Sequence, residues 1–250
     1  MRIWIAALAA SAMLATGAAR AADVPANIAA AVADKGRPAE DVARDADRKP
    51  ADMLVFAGIK PGMTVVDLVP GKGYFTKIFA KAVGPTGHVY AFLPSELDPM
   101  MAKHNVPIPS GTDPQYPNVT YVHAPLSAFA VPTPVDVVWT SQNYHDMHDP
   151  EFGPADMAKV NAAIFAALKP GGLYIVLDHA AQAESGLRDT NTLHRIDPAT
   201  VKSEVTAAGF TFAGEDDALA NPNDPHTALV FDKSIRGHTD QFIYKFQKPG

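Results

Sequence analysis

Short apolar runs of strand type alternate with helical segments from Met63 onward, and this alternation restricts the fold more than any other feature of the sequence. The runs are almost continuously apolar, as expected of strands that are covered on both faces. Such strands joined by helices predict an α/β fold with a mostly parallel sheet of seven strands and helices on both faces. The predicted strands are residues 64–68, 88–92, 119–123, 135–140, 173–177, 210–213 and 241–246.

The helices predicted between these strands are recognisable from an apolar face or from residues typical of helix ends. Apolar and aromatic side chains recur on one face of the first, which begins at Tyr74. Asp197 and Pro198 form a good N-terminal cap and first turn for the last, and Gly209 ends it. The predicted helices are residues 74–83, 154–168 and 199–208, and the segments 97–118 and 180–196 are predicted to be irregular polar insertions.

The first residues have the three-part pattern of a secretory signal peptide. Arg2 precedes an uncharged, mostly apolar stretch over residues 3–17, and Ala19-Arg20-Ala21 is a small-x-small cleavage signal. The alternative is a membrane anchor, but a helix of that length spans only about 22 Å of the ~30 Å hydrocarbon core. We therefore expect export to the periplasm or beyond. The predicted units are a leader over 1–21, a helical lead-in over 22–60 and an α/β domain over 61–250.

Charge and cysteine content exclude several classes of function. The chain has no cysteine, which rules out disulfides, thiolate metal sites, iron–sulfur clusters and a cysteine nucleophile. The formal charge of −6 gives no general attraction to nucleic acid or to anionic membranes. We expect a small-molecule substrate, with no nucleic-acid partner and no membrane contact once the leader is removed. The sequence leaves the oligomeric state open.

A glycine-containing loop follows the first predicted strand. Val65 to Thr76 reads V-V-D-L-V-P-G-K-G-Y-F-T, in the order strand, turn and helix. It is not a P-loop, because no Gly-Lys-Ser/Thr occurs at the required spacing. A dinucleotide fingerprint is also disfavoured, because Asp67 stands where its glycines begin and would repel a pyrophosphate. The loop suits a cationic or hydroxyl-bearing ligand; the alternative is a simple tight turn.

This loop resembles that of the class I S-adenosylmethionine-dependent methyltransferases, in which an acid ends the first strand before a glycine-rich turn. Asp67, Gly71 and Gly73 match that pattern. Two later segments, 168–179 (L-K-P-G-G-L-Y-I-V-L-D-H) and 194–210 (H-R-I-D-P-A-T-V-K-S-E-V-T-A-A-G-F), also resemble the family in order and spacing. The resemblance covers roughly residues 51–248 and is greatest to a subgroup of predicted bacterial methyltransferases that carry a signal peptide. It implies a Rossmann-like fold and S-adenosylmethionine as cofactor.

The chain departs from the family pattern at three places. Val69 replaces the usual first glycine, and Leu93 stands where the second strand usually ends in a ribose-binding acid. The third strand runs into Val122-His123-Ala124-Pro125 and lacks the usual aspartate near the adenine. Glu96, three residues beyond Leu93, is the predicted substitute. The resemblance therefore implies a cofactor site formed by Asp67, Gly71, Gly73 and Glu96.

A polar segment, Ser141 to Asp149, follows the fourth predicted strand. Ligands of open α/β sheets bind beyond the carboxyl ends of the strands. Asn143 and Tyr144 are predicted to orient the substrate or donor, and His145 to accept a proton from the nucleophile. The alternative is that these residues only cap the strand and the next helix.

Other histidines and acids are predicted to reach the same edge of the sheet. Arg195 can pair with an acid or with a substrate carboxylate. No known metal motif matches residue by residue, so the predicted site contains no metal. The alternative left open is a divalent-metal site drawn from His145, His148, Asp178, His179 and His194.

The sequence thus favours an exported methyltransferase-like enzyme that transfers a methyl group to an O or N nucleophile of a small molecule or exposed group. The alternative is a non-catalytic ligand-binding protein that kept the fold, because two usual cofactor contacts are absent. A metal-dependent hydrolase ranks last, since neither a His-Glu-x-x-His motif nor a nucleophile elbow is present.

Overall fold

The computed structural model describes residues 24–150 and 154–250. The predicted leader, residues 1–21, lies outside the described residues. Within the described ranges, no helix combines the length and apolarity needed to cross a membrane.

The centre of the molecule is a mixed sheet of eight strands in the order β3-β4-β2-β1-β5-β6-β8-β7. The strands β4, β2, β1, β5 and β6 are parallel, β8 runs antiparallel to both neighbours, and β3 runs antiparallel to β4. The strands are β1 Thr64–Leu68, β2 His88–Pro94, β3 Gly111–Thr112, β4 Val119–Ala124, β5 Val135–Ser141, β6 Leu168–His179, β7 Thr211–Asp216 and β8 Gln241–Gln247.

The predicted count of seven strands is therefore corrected to eight, and the sheet is mixed. The additional strand, β3, is only two exposed residues long and lies within the segment predicted to be irregular. Strand β6 is also longer than expected, because pairing with β5 already begins at Leu168, before the Pro-Gly-Gly turn.

Helices cover both faces of the sheet. One apolar layer packs α1, α4 and α5 against it, and the other packs α6, α7 and α9. Neighbouring residues of β1 serve opposite layers: Val65 belongs to the first and Val66 to the second, and both are fully buried. The helices are α1 Ala26–Val32, α2 Ala39–Val42, α3 Asp45–Arg48, α4 Pro50–Phe56, α5 Tyr74–Val83, α6 Asp98–Lys103, α7 Met157–Ala167, α8 Thr190–Leu193 and α9 Pro198–Ala207.

The topology determines where a ligand can bind. Strand β1 lies between β2 and β5, so the connections that leave β1 and β5 diverge to opposite sides of the sheet. A crevice opens at such a switch point, outside the carboxyl ends of the strands. In this chain it opens beside Leu68 and Ser141, where β1 and β5 end.

Candidate functional site

A cavity of about 410 Å³ occupies this switch point. Its floor is formed by Asp67 near the end of β1 with the following loop, which includes Gly71, and by Ser141 at the end of β5 with Gln142 and Asn143 after it. Helices α2 and α3 of the N-terminal segment form the opposite wall. The volume lies within the usual range for small-molecule sites, which is about 300–1,000 Å³.

Asp67 is the more deeply buried of two buried acids that line this cavity, the other being Asp41. Only 3% of the residue is exposed, and one carboxylate oxygen accepts a hydrogen bond from Thr76 Oγ1 at 2.6 Å. Burial raises the pKa of Asp67 to about 7, although the Thr76 hydrogen bond and the charge of Arg48 oppose the shift. The carboxyl group is thus close to half-protonated at neutral pH, and a cation placed beside it would favour its charged form.

The loop after Asp67 contains three left-handed residues. Val69, Gly71 and Gly73 have φ angles of 59°, 55° and 75°. Glycine adopts this conformation freely, whereas a β-branched residue is strained there, typically by about 1–3 kcal/mol. Val69 therefore holds a backbone conformation that glycine adopts more easily, at a cost in backbone energy. Gly71 lines the cavity, while Gly73 is buried at the start of α5.

Arg48 brings a half-buried positive charge to the cavity from α3. It donates a hydrogen bond to Ser141 Oγ at 3.0 Å, and its guanidinium lies 4.4 Å from the ring centre of Tyr74 and 4.8 Å from that of Phe75. Desolvation and the neighbouring Arg44 lower the pKa of Arg48 to about 10. Within the described ranges, no carboxylate forms an ion pair with Arg48. A cation in this situation suits an anionic ligand group.

Two acids hold the N-terminal helices against α5. Asp45 accepts hydrogen bonds from Arg37 at 2.6 and 2.8 Å and from Tyr74 Oη at 2.6 Å, and Lys77 pairs with Asp41 at 2.8 Å. The lead-in is thus part of the candidate site. Sequence reasoning missed Arg44 and Arg48, because no motif in their charged segment indicates what they face.

Asn143 is the predicted catalytic residue that reaches the cavity. Its amide nitrogen donates to the carbonyl oxygens of Ser141, at 2.5 Å, and of Val69, at 3.3 Å. The side chain therefore joins the loop after β5 to the loop after β1, which fixes the shape of the floor.

Tyr144, predicted to orient the substrate, lies in the core instead. The residue is fully buried, its hydroxyl donates to Glu204 at 2.8 Å, and it accepts a hydrogen bond from Asn161 at 2.9 Å. Burial, together with the charges of Tyr174 and Glu204, raises the pKa of Tyr144. Both polar partners come from helices α7 and α9, so the tyrosine fastens the loop after β5 to the helical layer.

Glu96 does not line the cavity either. Its carboxylate accepts the backbone N–H of Leu126 at 2.9 and 3.2 Å, and so holds the 3₁₀ turn that follows β4. Of the four predicted cofactor contacts, Asp67 and Gly71 border the cavity, Gly73 lies at its rear and Glu96 serves a neighbouring turn.

His145 is buried beneath the same edge of the sheet. Its Nδ1 lies 2.8 Å from Asp178 Oδ1, its backbone N–H donates to Asp178 Oδ2 at 2.8 Å, and its Nε2 lies 3.0 Å from Asp146 Oδ1. Burial alone would lower the pKa of His145, but the two carboxylates outweigh it and raise the pKa to about 10. Both ring nitrogens of His145 thus face carboxylates of the protein, and its predicted role as proton acceptor stays a prediction.

The other residues of the predicted cluster separate into different environments. His148 pairs with Glu204 at 3.2 Å, and His179 faces Thr239 Oγ1 at 2.7 Å, where burial lowers its pKa to about 4. His194 remains with His145, its Nδ1 lying 3.3 Å from His145 Nε2.

Arg195 takes the first of its two predicted roles. It forms a fully buried ion pair with Asp224 at 2.8 Å, so the guanidinium is not offered to a substrate.

A second cavity of about 160 Å³ adjoins the first. The two share Arg44, Arg48 and Gln142, and the second extends to His179 and Phe231. Ligands bound in the two cavities would therefore both lie against these three shared residues.

Comparison with known proteins indicates which fold this is. No family model matches the chain. The ubiquinone/menaquinone biosynthesis C-methyltransferases UbiE of Burkholderia orbicola and Burkholderia cenocepacia are each 31% identical over 129 residues, which are 50% of this chain and 46% of each relative. The chain thus spans about half the length of the curated relatives it matches.

Solved structures match over most of the chain. An S-adenosylmethionine-dependent methyltransferase from Mesorhizobium loti aligns with a TM-score of 0.53 at 15% identity, covering 82% of this chain and 99% of that one. The cyclase SpnF aligns with a TM-score of 0.55 at 17% identity, covering 82% and 81%. At these identities the likeness concerns the fold alone. The chain has the Rossmann-like fold of the class I S-adenosylmethionine-dependent methyltransferases.

Proposed function

We propose that this protein binds S-adenosylmethionine in the larger cavity and transfers its methyl group to an O or N nucleophile of a small molecule or exposed group. One observation carries the proposal: the cavity at the carboxyl ends of β1 and β5 combines Asp67 and the Gly71 loop with the half-buried Arg48. The fold and the methyltransferase relatives support the same function.

The charges of the cavity fit the charges of this cofactor. Its methionyl part carries an ammonium and a carboxylate, and the cavity offers Asp67 for the first and Arg48 for the second. Gly71 leaves open space, since a Cβ built there meets no atom within 4 Å. Glu96 is omitted from the proposed contacts because Leu126 already occupies its carboxylate.

When bound, the cofactor supplies an electrophilic methyl group on a sulfonium. The residues of this chain contribute binding and orientation: Arg48 and Asp67 fix the methionyl end, and Asn143 holds the two loops that form the floor. Holding two reactants in line is itself a large part of catalysis of this kind. We propose that the acceptor enters through the second cavity, because it shares a wall with the first.

Binding without transfer is the second candidate. The observation that favours it is Leu93, which is 4% exposed at the end of β2 and offers no polar group to a ribose. The fold does not settle the choice, because function depends on the site rather than on the architecture.

The first experiment is calorimetric titration of the full-length protein with S-adenosylmethionine and S-adenosylhomocysteine. We expect both to bind, and Arg48→Met to weaken binding by about 10- to 100-fold, as for loss of a charge-assisted hydrogen bond. Glu96→Gln is the matched control and should leave affinity unchanged. Absence of binding by the folded wild type would reject the proposal, and equal affinity in Arg48→Met would reject the assigned role of Arg48.

Methyl transfer is then tested with radiolabelled cofactor and a panel of small O and N nucleophiles. Transfer supports the enzyme, whereas tight binding with no transfer to any acceptor favours the ligand-binding alternative.

We also propose export to the periplasm or beyond, supported by the leader pattern in residues 1–21. N-terminal sequencing of protein recovered from the cell envelope should begin near Ala22. An intact Met1 in a membrane fraction would indicate an anchor instead.

A further inference from the structure

Three potential ligand atoms converge below the second cavity. His145 Nε2 lies 3.0 Å from Asp146 Oδ1 and 3.3 Å from His194 Nδ1, and His194 Nδ1 lies 3.3 Å from Asp146 Oδ1. The three atoms therefore form a nearly equilateral triangle, contributed by two imidazoles and one carboxylate.

The size of this triangle matches the face of a metal coordination shell. Ligand atoms about 2.0–2.1 Å from a tetrahedral ion are about 3.3 Å from one another, and those in neighbouring octahedral positions are about 2.9 Å apart. An ion about 1 Å above the plane of the three atoms would reach all of them at such distances without moving a side chain.

We propose that His145, Asp146 and His194 bind a divalent transition-metal ion. Two imidazoles and one carboxylate favour zinc, iron(II), manganese, cobalt or nickel over magnesium and calcium, which prefer oxygen ligands alone.

The surroundings of His145 support this assignment. Histidine ligands usually donate their second ring nitrogen to a carboxylate, which orients the ring and leaves the first nitrogen for the metal. Here Asp178 takes that place at 2.8 Å from Nδ1, and it is itself fixed by the backbone N–H groups of His145 and His179, each at 2.8 Å. Nε2 of His145 is thereby directed toward the other two ligand atoms.

His194 follows the last residue of α8 and caps that helix in a left-handed conformation, with a φ angle of 52°. In this position its Nδ1 lies 3.3 Å from each of the other two ligand atoms.

One side of the triangle is open. The side chains of His194 and Asp146 are 30% and 20% exposed, whereas that of His145 is only 3% exposed. Three protein ligands with a free face are characteristic of metals that also bind water or a substrate atom. The rings of His179 and Phe231, which line the second cavity, lie 6.0 Å from His145 and 5.0 Å from His194. The proposed metal site is therefore one side chain away from the proposed acceptor cavity.

The metal site stands apart from the proposed cofactor cavity, so the two proposals can fail separately. The test uses untagged full-length protein stripped with a chelator, then equilibrated with Zn²⁺ and measured by elemental analysis and calorimetry. We expect one equivalent of Zn²⁺ and a higher melting temperature, since a ligand that binds only the folded state stabilises it.

His194→Gln and Asp146→Asn should each weaken Zn²⁺ binding by more than about 100-fold, exceeding the 10- to 100-fold effect typical of lost outer hydrogen bonds. The matched control is His226→Gln, because His226 also pairs with an acid, Asp240 at 2.9 Å, and is 28% exposed. It should bind as the wild type does. If His194→Gln does not fold, the test relies on Asp146→Asn, which is expected to fold because an amide has the shape of the carboxylate it replaces.

Wild type that binds no Zn²⁺ at micromolar concentration overturns the proposal. So does undiminished binding by folded His194→Gln or Asp146→Asn, or an equal loss in His226→Gln. Substituting Co²⁺ gives a further readout: its visible spectrum should show nitrogen and oxygen coordination in the wild type and change when either ligand is altered.

Discussion

The proposed cofactor site can be tested without an activity assay, by measuring the protons that Asp67 releases when a ligand binds. Burial raises the pKa of Asp67 to about 7 in the ligand-free protein, against the Thr76 hydrogen bond and the charge of Arg48. A ligand ammonium beside Asp67 favours the carboxylate over the carboxylic acid, so it lowers this pKa. Ligand binding then releases whatever fraction of a proton the carboxyl group held beforehand.

The magnitude follows from that pKa. A group with a pKa of about 7 holds about 0.9 proton at pH 6, about 0.5 at pH 7 and about 0.1 at pH 8. If Asp67 is fully ionised in the complex, the number of protons released on binding should equal these values and therefore decrease from pH 6 to pH 8. Affinity should rise about five- to sixfold from pH 6 to pH 7 and about twofold from pH 7 to pH 8.

The assay is calorimetric titration with S-adenosylhomocysteine at pH 6, 7 and 8, each in two buffers of different ionisation enthalpy. The difference between the two buffers gives the number of protons released. Asp67→Asn is the matched variant: it keeps the shape of the side chain but holds no titrating proton, so release should vanish and the pH dependence should flatten. Wild type that binds at pH 6 without releasing a proton, or equal release from Asp67→Asn, would refute the reasoning.

Two further predictions concern stability. Gly87→Ala would place a Cβ 2.5 Å from that of Val83, so the backbone must shift. We expect denaturant unfolding to show a free energy of unfolding lower by about 1–3 kcal/mol. Gly36→Ala is the control and should change it little, because its Cβ would have no contact closer than 3.4 Å. Equal effects of these two would contradict the packing. Arg195→Met leaves Asp224 buried without its cation and should cost about 3–5 kcal/mol in urea unfolding; a loss below about 1 kcal/mol would show that the pair is dispensable.

The sequence predicted most of the sheet because its strands are buried on both faces and read as apolar runs. Strand β3 is the exception, because its two residues, Gly111 and Thr112, are exposed and form no apolar run, and it is recognisable only from its pairing with β4. The turn after β1 was also predictable from the sequence, because two of its three left-handed positions, Gly71 and Gly73, carry glycine. The third is occupied by Val69 and could not be recognised in this way.

The site was less predictable wherever its contacts join distant segments. His145 and Asp178 were placed together correctly, because β5 and β6 are neighbours and the two residues lie at or just beyond the carboxyl ends of these strands. The contact between Arg48 and Ser141 spans 93 residues and has no motif. Tyr144 stands in a polar segment yet turns inward, because its partner Glu204 lies 60 residues away in sequence.

The wall formed by α2 and α3 has a consequence for how ligands exchange. Those helices have four residues each and meet the rest of the chain largely through polar contacts, such as Tyr74 with Asp45, Lys77 with Asp41 and Arg48 with Ser141. Polar contacts near the surface break locally at far lower free energy than a hydrophobic core unfolds. We therefore expect the wall to open locally while the sheet stays intact. The residence time of a bound molecule would then depend on the rate at which these two short helices detach, and not on the free energy of unfolding of the whole protein.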